Sequence, residues 1–456
     1  MRPLACVCVA MSAAGLVPLQ ADKASATVVV TDDPVLFWNQ VMIQNYTGSP
    51  ITTSRGVAML EVALHDAVNA ASGRPNASYV SGVATPGGNV RAAATQAAYE
   101  VLSVLNPAAA ANLQAARDAS LALVPDGTDK SDGIATGSLI AQAVLGLRAN
   151  DGWNAPADPP YAPTDPAELG SWQPTPPGNQ AAAGANWGAV TPWLMSSGDQ
   201  FRAAPPPDIS SAEFAAALAE VKAIGAADSA LRDADMAQGA QFWAQASGAN
   251  PWIQLGIDLA AQRGDLDTLE NAAMLAQLGV AAADVTIALF ESKYVYDYWR
   301  PVTAIRNADL VAGLEGLDDD NWSSFIATPA HPSYVSGHSA QAAAITAILE
   351  AHLGADTPFS LTWSGPLGSL TREWASFDAA ADDAASSRLW GGIHYRFDNE
   401  AGLRMGQDLG RFVLAQNAFK AVPEPGTWAM MLVGAFGIAA ALRSAKRRQK
   451  VSVSYG

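Results

Sequence analysis

The sequence predicts an all-α protein of two packed helical bundles joined by a long proline-rich segment. Alanine-rich stretches with apolar residues at helical spacing outnumber stretches that alternate as strands do. Proline is dense between Asn150 and Ser210, where a helix cannot continue, and helical patterns resume beyond it to about Lys420. With 456 residues, 50% of them hydrophobic, the chain is long enough to bury a large core.

Residues 1–26 are typical of a secretory signal peptide. Arg2 precedes an apolar stretch from Pro3 to Leu19, and the small residues 24–26 offer a cleavage site. Both cysteines, Cys6 and Cys8, lie in this segment. We therefore expect an exported protein whose mature fold uses neither disulfides nor thiolate-bound metal.

Three regions make up the predicted body. Residues 27–149 form an N-terminal helical region, which includes the helical patterns SRGVAMLEVALHDAVNAA and DGIATGSLIAQAVLGLRA. Residues 150–210 form an irregular segment, and its four tryptophans favour a loop packed onto the body over a flexible linker. Residues 211–420 form a C-terminal helical bundle, with interruptions near Gly313 to Ala327 and near Gly354 to Gly368.

Residues 421–456 resemble a PEP-CTERM sorting tail. A Pro-Glu-Pro motif at 423–425 precedes an apolar run from Trp428 to Leu442 and then a basic cluster. In that family a membrane protease recognises and removes the tail, which implies transient membrane contact and export by a Gram-negative bacterium to the periplasm, outer surface or extracellular matrix. The alternative is a simple membrane anchor, for which the run is shorter than the roughly 20 residues of a spanning helix.

The net charge of -17 argues against nucleic acid as a partner, because binding to phosphates requires a basic surface. Charged residues make up only 15% of the chain. Removal of the segment from Gly426 onward, which holds five basic residues and no acidic one, would change the net charge to -22.

The segment KYVYDYWRP places two cations seven residues apart. Seven residues are nearly two helical turns, so we expect Lys293 and Arg300 to project from one face of a helix that ends before Pro301. The aromatic residues between them predict a buried helix. Asp297 could pair with Lys293, but one carboxylate cannot satisfy two buried cations, so an anion from elsewhere is expected.

The segment HPSYVSGHS opens an alanine-rich helical run. Ser336 and Gly337 fall where the helix N-cap would lie, and a hydroxyl beside a helix N-terminus favours an oxyanion. His338 would then lie beside the anion. Alone, this pattern is more often a capping serine and a surface histidine.

The segment SRLWGGIHYRFDNEAG supplies the remaining groups. We expect the two glycines at 391–392 to break the backbone, so that Arg388 and His394 both point inward. Asp398 follows His394 by four residues, one helical turn, and could hydrogen-bond one ring nitrogen of it. Arg396 could instead pair with Asp398.

Together the three segments offer three cations, a hydroxyl, a helix N-terminus and two histidines, an inventory that suits a tetrahedral oxyanion. At an effective dielectric near 20, a cation about 4 Å from the anion contributes on the order of 4 kcal/mol before desolvation.

In this order the segments resemble the three-part signature of the type 2 phosphatidic acid phosphatase superfamily. KYVYDYWRP and HYRFD are most similar to its vanadium-dependent haloperoxidase branch, and HDAVNA, WQPTPP and WGAVTPW resemble its bacterial members. The signature covers roughly the second half of the mature chain. Val335 departs from it, because the family usually has proline there; the change removes no ligand.

The resemblance implies a vanadate cofactor. His394 would bind vanadium through a ring nitrogen with support from Asp398, and His338 would be the acid–base partner. The vanadate oxygens would be bound by Lys293, Arg300, Ser336, Gly337 and Arg388. Hydrogen peroxide would then oxidise a halide to hypohalous acid for a small organic acceptor, while the metal centre acts as a Lewis acid without redox change.

His331 implies a halide preference. In haloperoxidases of this type the corresponding residue is often phenylalanine in chloride-oxidising enzymes and histidine in bromide-oxidising ones. We therefore expect bromide or iodide to be favoured over chloride. The alternative is a loop histidine without a role.

Two other functions remain open at this point. An acid phosphatase on the same scaffold would use His394 as a nucleophile and His338 to protonate the leaving group. A non-catalytic protein of the extracellular matrix would not need these groups together. His65 and His352, on apolar helices, and the acidic run at 318–320 are assigned no role.

Overall fold

The computed structural model describes residues 31–46, 48–157, 161–162, 168–422 and 442. The predicted signal peptide and nearly all of the sorting tail therefore lie outside the described residues.

The described chain is mostly helical, which confirms the all-α prediction. Its helices are α1 (Pro34–Asn45), α2 (Pro50–Ala71), α3 (Val90–Leu105), α4 (Ala110–Leu121), α5 (Thr128–Arg148), α6 (Ala212–Ile224), α7 (Ala234–Gln245), α8 (Asn250–Arg263), α9 (Thr268–Tyr296), α10 (Pro301–Arg306), α11 (Gly337–Leu353), α12 (Phe377–Trp390) and α13 (Arg396–Ala415). One antiparallel hairpin, β1 (Phe359–Gly365) and β2 (Gly368–Trp374), lies between α11 and α12.

Local sequence signals fix where several helices begin. The Asp33 carboxylate accepts the backbone N–H groups of residues 35 and 36 at the start of α1, and Ser49 caps α2 in the same way. Proline follows each cap, at the first helical position where its missing N–H costs nothing. Asp267 and Glu270 form a capping box that begins α9.

Helix α9 forms the centre of the molecule. It packs along α2 in the N-terminal half and along α11 and α13 in the C-terminal half. By length and composition it could cross a membrane, but its most apolar 18-residue window is fully buried among the other helices. One central helix therefore packs against helices from both halves of the described chain.

Helices α11 and α13 approach each other closely because glycines of α13 face α11. A Cβ atom at Gly406 would lie 2.2 Å from the carbonyl oxygen of Ala340, and one at Gly402 would lie 2.6 Å from that of Ser336. Only glycine permits this spacing, which brings the first turn of α13 against the start of α11.

Between α5 and α6 the described chain contains only two short 3-10 turns, and it packs against α9. The Asp284 carboxylate of α9 accepts the backbone N–H groups of Trp193, Leu194 and Met195 at 2.7–3.0 Å. Trp172, Trp187 and Trp193 are buried. These contacts tie the proline-rich segment to the central helix.

The hairpin was not predicted. Its first strand begins inside the interruption expected near Gly354 to Gly368, and the second strand continues beyond it. Leu361 and Trp363 of β1 are buried, and the ring of Trp374 at the end of β2 packs against Phe242 and Trp243 of α7. The hairpin thus connects α7 to the C-terminal half.

Candidate anion site

The first segment turns where a continuous helix was expected. Helix α9 ends at Tyr296, because Asp297 adopts a left-handed conformation (φ 45°), and Arg300 immediately precedes α10. The prediction that Lys293 and Arg300 share a helix face is therefore wrong, although both side chains are fully buried. Asp297 does not pair with Lys293; it accepts a hydrogen bond from the Tyr161 hydroxyl at 2.6 Å.

Both cations bind the backbone of the other two segments. Lys293 Nζ donates to the carbonyl oxygens of Pro332 (2.7 Å) and Ser333 (2.9 Å). Arg300 donates from Nε to the His331 carbonyl (2.9 Å) and from Nη1 to the Ile393 carbonyl (2.8 Å). The three segments, far apart in sequence, therefore meet at one place.

Ser336 is the N-cap residue of α11, as predicted, but its side chain caps no backbone N–H. Its hydroxyl instead accepts a hydrogen bond from Ser339 Oγ at 2.9 Å. The first N–H groups of α11 therefore lack a side-chain cap and can meet an anion. Space is present as well, because a Cβ atom at Gly337 would meet nothing closer than Leu289, at 3.7 Å.

His394 lies in a loop between α12 and α13. Helix α12 ends at Trp390, and Gly392 takes a positive φ of 77°, as the glycine pair predicted. His394 and Asp398 do not share a helix as their spacing implied, because α13 begins at Arg396. They nevertheless meet: Nδ1 of His394 lies 2.8 Å from Oδ2 of Asp398.

Asp398 is held by further hydrogen bonds and not by Arg396. The Ser333 hydroxyl donates to Oδ2 of Asp398 at 2.5 Å, and the Ser336 N–H donates to its carbonyl oxygen at 3.0 Å. Arg396 pairs instead with Glu220 on α6. Burial raises the pKa of Asp398 to about 6, while Ser333 and the nearby Lys293 lower it.

These contacts fix the protonation of His394. The Asp398 carboxylate accepts a hydrogen bond from the N–H at Nδ1, so Nε2 carries the lone pair and accepts a hydrogen bond from Arg300 Nη1 at 3.1 Å. Burial holds the pKa of His394 well below its usual value, and the positive charge of Arg300 lowers it further. A neutral imidazole with its lone pair on Nε2 is the form that binds a metal centre.

Arg388 is a buried cation with unsatisfied hydrogen-bond donors in the part of the chain that the structure describes. It is 2% exposed, and neither Nε nor Nη1 has a hydrogen-bond acceptor among the described residues. Burial, and then the positive charge of Arg300, lower its pKa to about 9. Burying a guanidinium whose N–H donors are unsatisfied costs free energy, so we expect an anion to bind beside Arg388.

Two histidines lie on the partly exposed side of the cluster. His338 Nε2 donates to the Trp243 carbonyl at 2.9 Å, which leaves its Nδ1 as an acceptor. Burial and then Arg388 lower the pKa of His338, so the ring is neutral. His331 Nδ1 lies 3.0 Å from Arg300 Nη2, which can only donate to it, and 3.2 Å from the Pro332 carbonyl oxygen; the ring packs edge-on against Phe290.

All the predicted site residues thus come together, and we call this group the anion site: Lys293, Arg300, His331, Ser336, Gly337, His338, Arg388, His394 and Asp398. The two histidines left out lie elsewhere: His65 Nδ1 pairs with Asp66 at 2.8 Å, and His352 Nε2 bonds Gln277 at 2.8 Å. In the part of the chain that the structure describes, no cluster of three histidine, cysteine or acidic side chains could hold a metal ion.

Sequence reasoning missed two contributors. Ser333 bridges the second and third segments through Asp398, and Trp243 holds His338 through its backbone carbonyl. Serine in a loop carries no specific signal, and a carbonyl contact has no residue signature. Only the fold reveals them.

Two family models match this chain. Residues 273–421 match the VCPO second helical-bundle domain, which contains every residue of the anion site, and residues 421–448 match the PEP-CTERM protein-sorting motif. The chain has the vanadium haloperoxidase fold. The resemblance to that family and to the sorting tail is confirmed.

Solved structures of vanadium haloperoxidases cover most of the chain. A bacterial vanadium-dependent iodoperoxidase is 27% identical, with a TM-score of 0.71, over 84% of this chain and 95% of that one. Apo and holo bacterial vanadium-dependent chloroperoxidases are 18% and 17% identical, with TM-scores of 0.66 and 0.65. They cover 80% and 86% of this chain, and each match covers 93% of the other chain. A search of curated proteins finds no match.

Proposed function

We propose that this protein is a vanadate-dependent haloperoxidase, which uses hydrogen peroxide to oxidise iodide or bromide to hypohalous acid. The observation that carries the proposal is that one site holds both the neutral imidazole of His394 and the buried guanidinium of Arg388, whose Nε and Nη1 have no acceptor among the described residues. The vanadium haloperoxidase fold supports it.

The residues present fit vanadate. His394 Nε2 would be the ligand to the metal, and Lys293, Arg300 and Arg388 would balance the oxyanion charge. The uncapped start of α11, with Ser336 and Gly337, adds hydrogen-bond donors. Bound vanadate would supply Lewis-acid activation of peroxide.

His338 is suited to the proton transfer that peroxide binding requires. Its Nδ1 faces away from the Trp243 carbonyl and is unprotonated at neutral pH, because burial and Arg388 lower the pKa. It can therefore accept a proton from hydrogen peroxide and later donate it to the oxygen that leaves as water. Asp398 keeps His394 in the tautomer that leaves Nε2 free.

The proposed halide range rests on His331. The imidazole accepts a hydrogen bond from Arg300 and so draws that guanidinium partly away from the anion. The 27% identity to an iodoperoxidase favours an easily oxidised halide. A small organic acceptor would consume the hypohalous acid. The sorting motif and the signal-like first 26 residues support export.

The deciding experiment compares two reactions of the full chain after loading with vanadate. We expect oxidation of iodide and bromide by peroxide, measured by halogenation of a phenolic dye, and vanadium bound at one equivalent per chain. His394→Ala should lose both while His352→Ala, a matched histidine outside the site, keeps both. Release of p-nitrophenol from its phosphate without any halogenation would instead identify an acid phosphatase.

A further inference from the structure

A second cavity, remote from the anion site, lies in the N-terminal half. It has a volume of about 310 Å³ and opens where α1, α3 and α5 end and α2 begins. None of the anion-site residues lines it. Its volume is at the lower end of the range, roughly 300–1,000 Å³, of pockets that bind small molecules. We call it the basic cavity, lined by Tyr46, Thr52, Arg55, Met59, Val104, Leu105, Leu145, Arg148, Ala149 and Trp153.

The polar wall of the basic cavity is positively charged. Two arginines line it and no acidic side chain does. Both pair with the same oxygen, Oδ2 of Asp151, at 2.7 Å from Arg55 Nε and 3.2 Å from Arg148 Nε. One carboxylate therefore serves two guanidinium groups.

The two arginines have different partners. Arg148 donates to the carbonyls of Thr191 and Pro192 and lies over the Trp193 ring at 4.0 Å, while its buried Nε makes no hydrogen bond to a described residue. Arg55 donates from Nε to Asp151 and from Nη2 to the Arg148 carbonyl at 2.6 Å, and its guanidinium lies 5.1 Å from the centre of the Trp153 ring. Its Nη1 makes no hydrogen bond to a described residue and is not enclosed by protein atoms, so it is open to an anion in the cavity.

The opposite wall is apolar. Met59 is buried there and lines the cavity together with Leu105 and Leu145, and the exposed side chains of Val104 and Trp153 also line it. These two side chains are 62% and 38% exposed. Apolar side chains grouped around the mouth of a cationic cavity favour a ligand with a hydrocarbon body as well as a charge.

We propose that the basic cavity binds a small amphipathic monoanion, an aromatic or short aliphatic carboxylate. The carboxylate accepts from Arg55, and the hydrocarbon body lies against Met59, Leu105 and Leu145. The assignment is independent of the chemistry proposed at the anion site, since the two sites share no residue.

Calorimetric titration of the full chain with phenylacetate tests the ligand class. The chain is loaded beforehand with one equivalent of vanadate and no excess anion, so that the anion site does not contribute and nothing competes at the basic cavity. We expect phenylacetate to bind at least about tenfold more tightly than its neutral analogue phenylacetamide, a difference of about 1.4 kcal/mol. Acetate, which lacks the hydrocarbon body, should bind as weakly as phenylacetamide. Equal binding of acid and amide, or no binding of phenylacetate, would overturn the proposal.

Two variants locate the site. Arg55→Met should weaken phenylacetate binding at least about tenfold, and Arg404→Met, an exposed arginine of α13, should not. Arg55→Met also removes the ion pair with Asp151, so a second variant is needed that blocks the cavity without changing that ion pair. Leu145→Trp does this by filling the cavity. Binding that survives Leu145→Trp in a protein with an unchanged unfolding transition would place the ligand elsewhere.

Discussion

Asp398 controls the anion site because it decides which nitrogen of His394 is free. It accepts hydrogen bonds from His394 Nδ1 and Ser333 Oγ, both inside the fold. The raised pKa of Asp398, about 6, still leaves it ionised at neutral pH, so the carboxylate stabilises any positive charge that develops on the imidazole.

Asp398→Asn should weaken vanadate binding by about 10–100-fold, because an amide holds the imidazole tautomer less firmly. Equilibrium dialysis with vanadate measures the affinity directly. Glu400→Gln, an exposed change on the same helix, is the matched control. An unchanged affinity in Asp398→Asn would show that the tautomer is fixed in some other way.

His331→Phe should shift the halide range toward chloride. Without the imidazole, Arg300 Nη2 loses its acceptor and turns to the bound anion, where it withdraws electron density and promotes oxidation of the less reactive halide. We expect the ratio of kcat/KM for bromide over chloride to fall about tenfold. His352→Phe is the control, and an identical ratio in both variants would contradict the proposed role.

At the scale of elements, α7, β2 and α12 are joined by one carboxylate. Asp383 of α12 accepts from Trp243 Nε1 (2.8 Å), Arg372 Nη2 (2.6 Å) and Trp374 Nε1 (3.2 Å). Because the Trp243 carbonyl holds His338, this cluster also positions the proposed acid–base group.

Asp383→Asn should lower kcat and change its pH profile while the affinity for vanadate stays within about twofold. Loss of charge-assisted hydrogen bonds should also cost about 1.5–3 kcal/mol in the free energy of unfolding. The neighbouring Asp382→Asn, an exposed position, serves as the control. If kcat falls only in proportion to the folded fraction, the cluster is structural alone.

The elements also show where sequence reasoning worked. Helix-breaking glycines at 391–392 and the serine at 336 act through local backbone rules, so their effects were predictable. Lys293 and Arg300 were placed on one helix because spacing alone cannot reveal the left-handed Asp297 that ends α9. The hydrogen bond between His338 and the Trp243 carbonyl of α7, and the formation of the hairpin, depend on contacts between distant segments. No single segment encodes such contacts.

Across the whole molecule, the buried Glu61 of α2 makes stability depend on pH. No cation pairs with it among the described residues; Asn39 Nδ2 donates to Oε2 at 3.3 Å, and Oε1 has no partner there. Burial raises its pKa from 4.5 to about 8, against a lowering by the Asn39 hydrogen bond. The folded state therefore binds this proton more tightly than the unfolded chain, and stability falls as pH rises from about 4.5 to about 8.

Glu61→Gln should remove this dependence, because an amide does not ionise. Each pKa unit corresponds to about 1.4 kcal/mol, so the gain in unfolding free energy over the natural chain should be roughly 2–3 kcal/mol larger at pH 9 than at pH 6. Urea unfolding at both pH values measures it, with Glu400→Gln as the control. A gain that does not change with pH would mean that Glu61 stays ionised in the fold.

Helix α9 makes structural contacts with both halves of this protein. On α9, Gly279 lies against Glu61 of α2, Asp284 fastens the proline-rich segment, and Lys293 reaches the anion site. An N-terminal half from one relative would not fit a C-terminal half from another, because the relative that supplies α9 also determines the surface against which α2 must pack. Recombination and chimera design in this protein should therefore place their crossover points outside α9 and transfer α2 along with it.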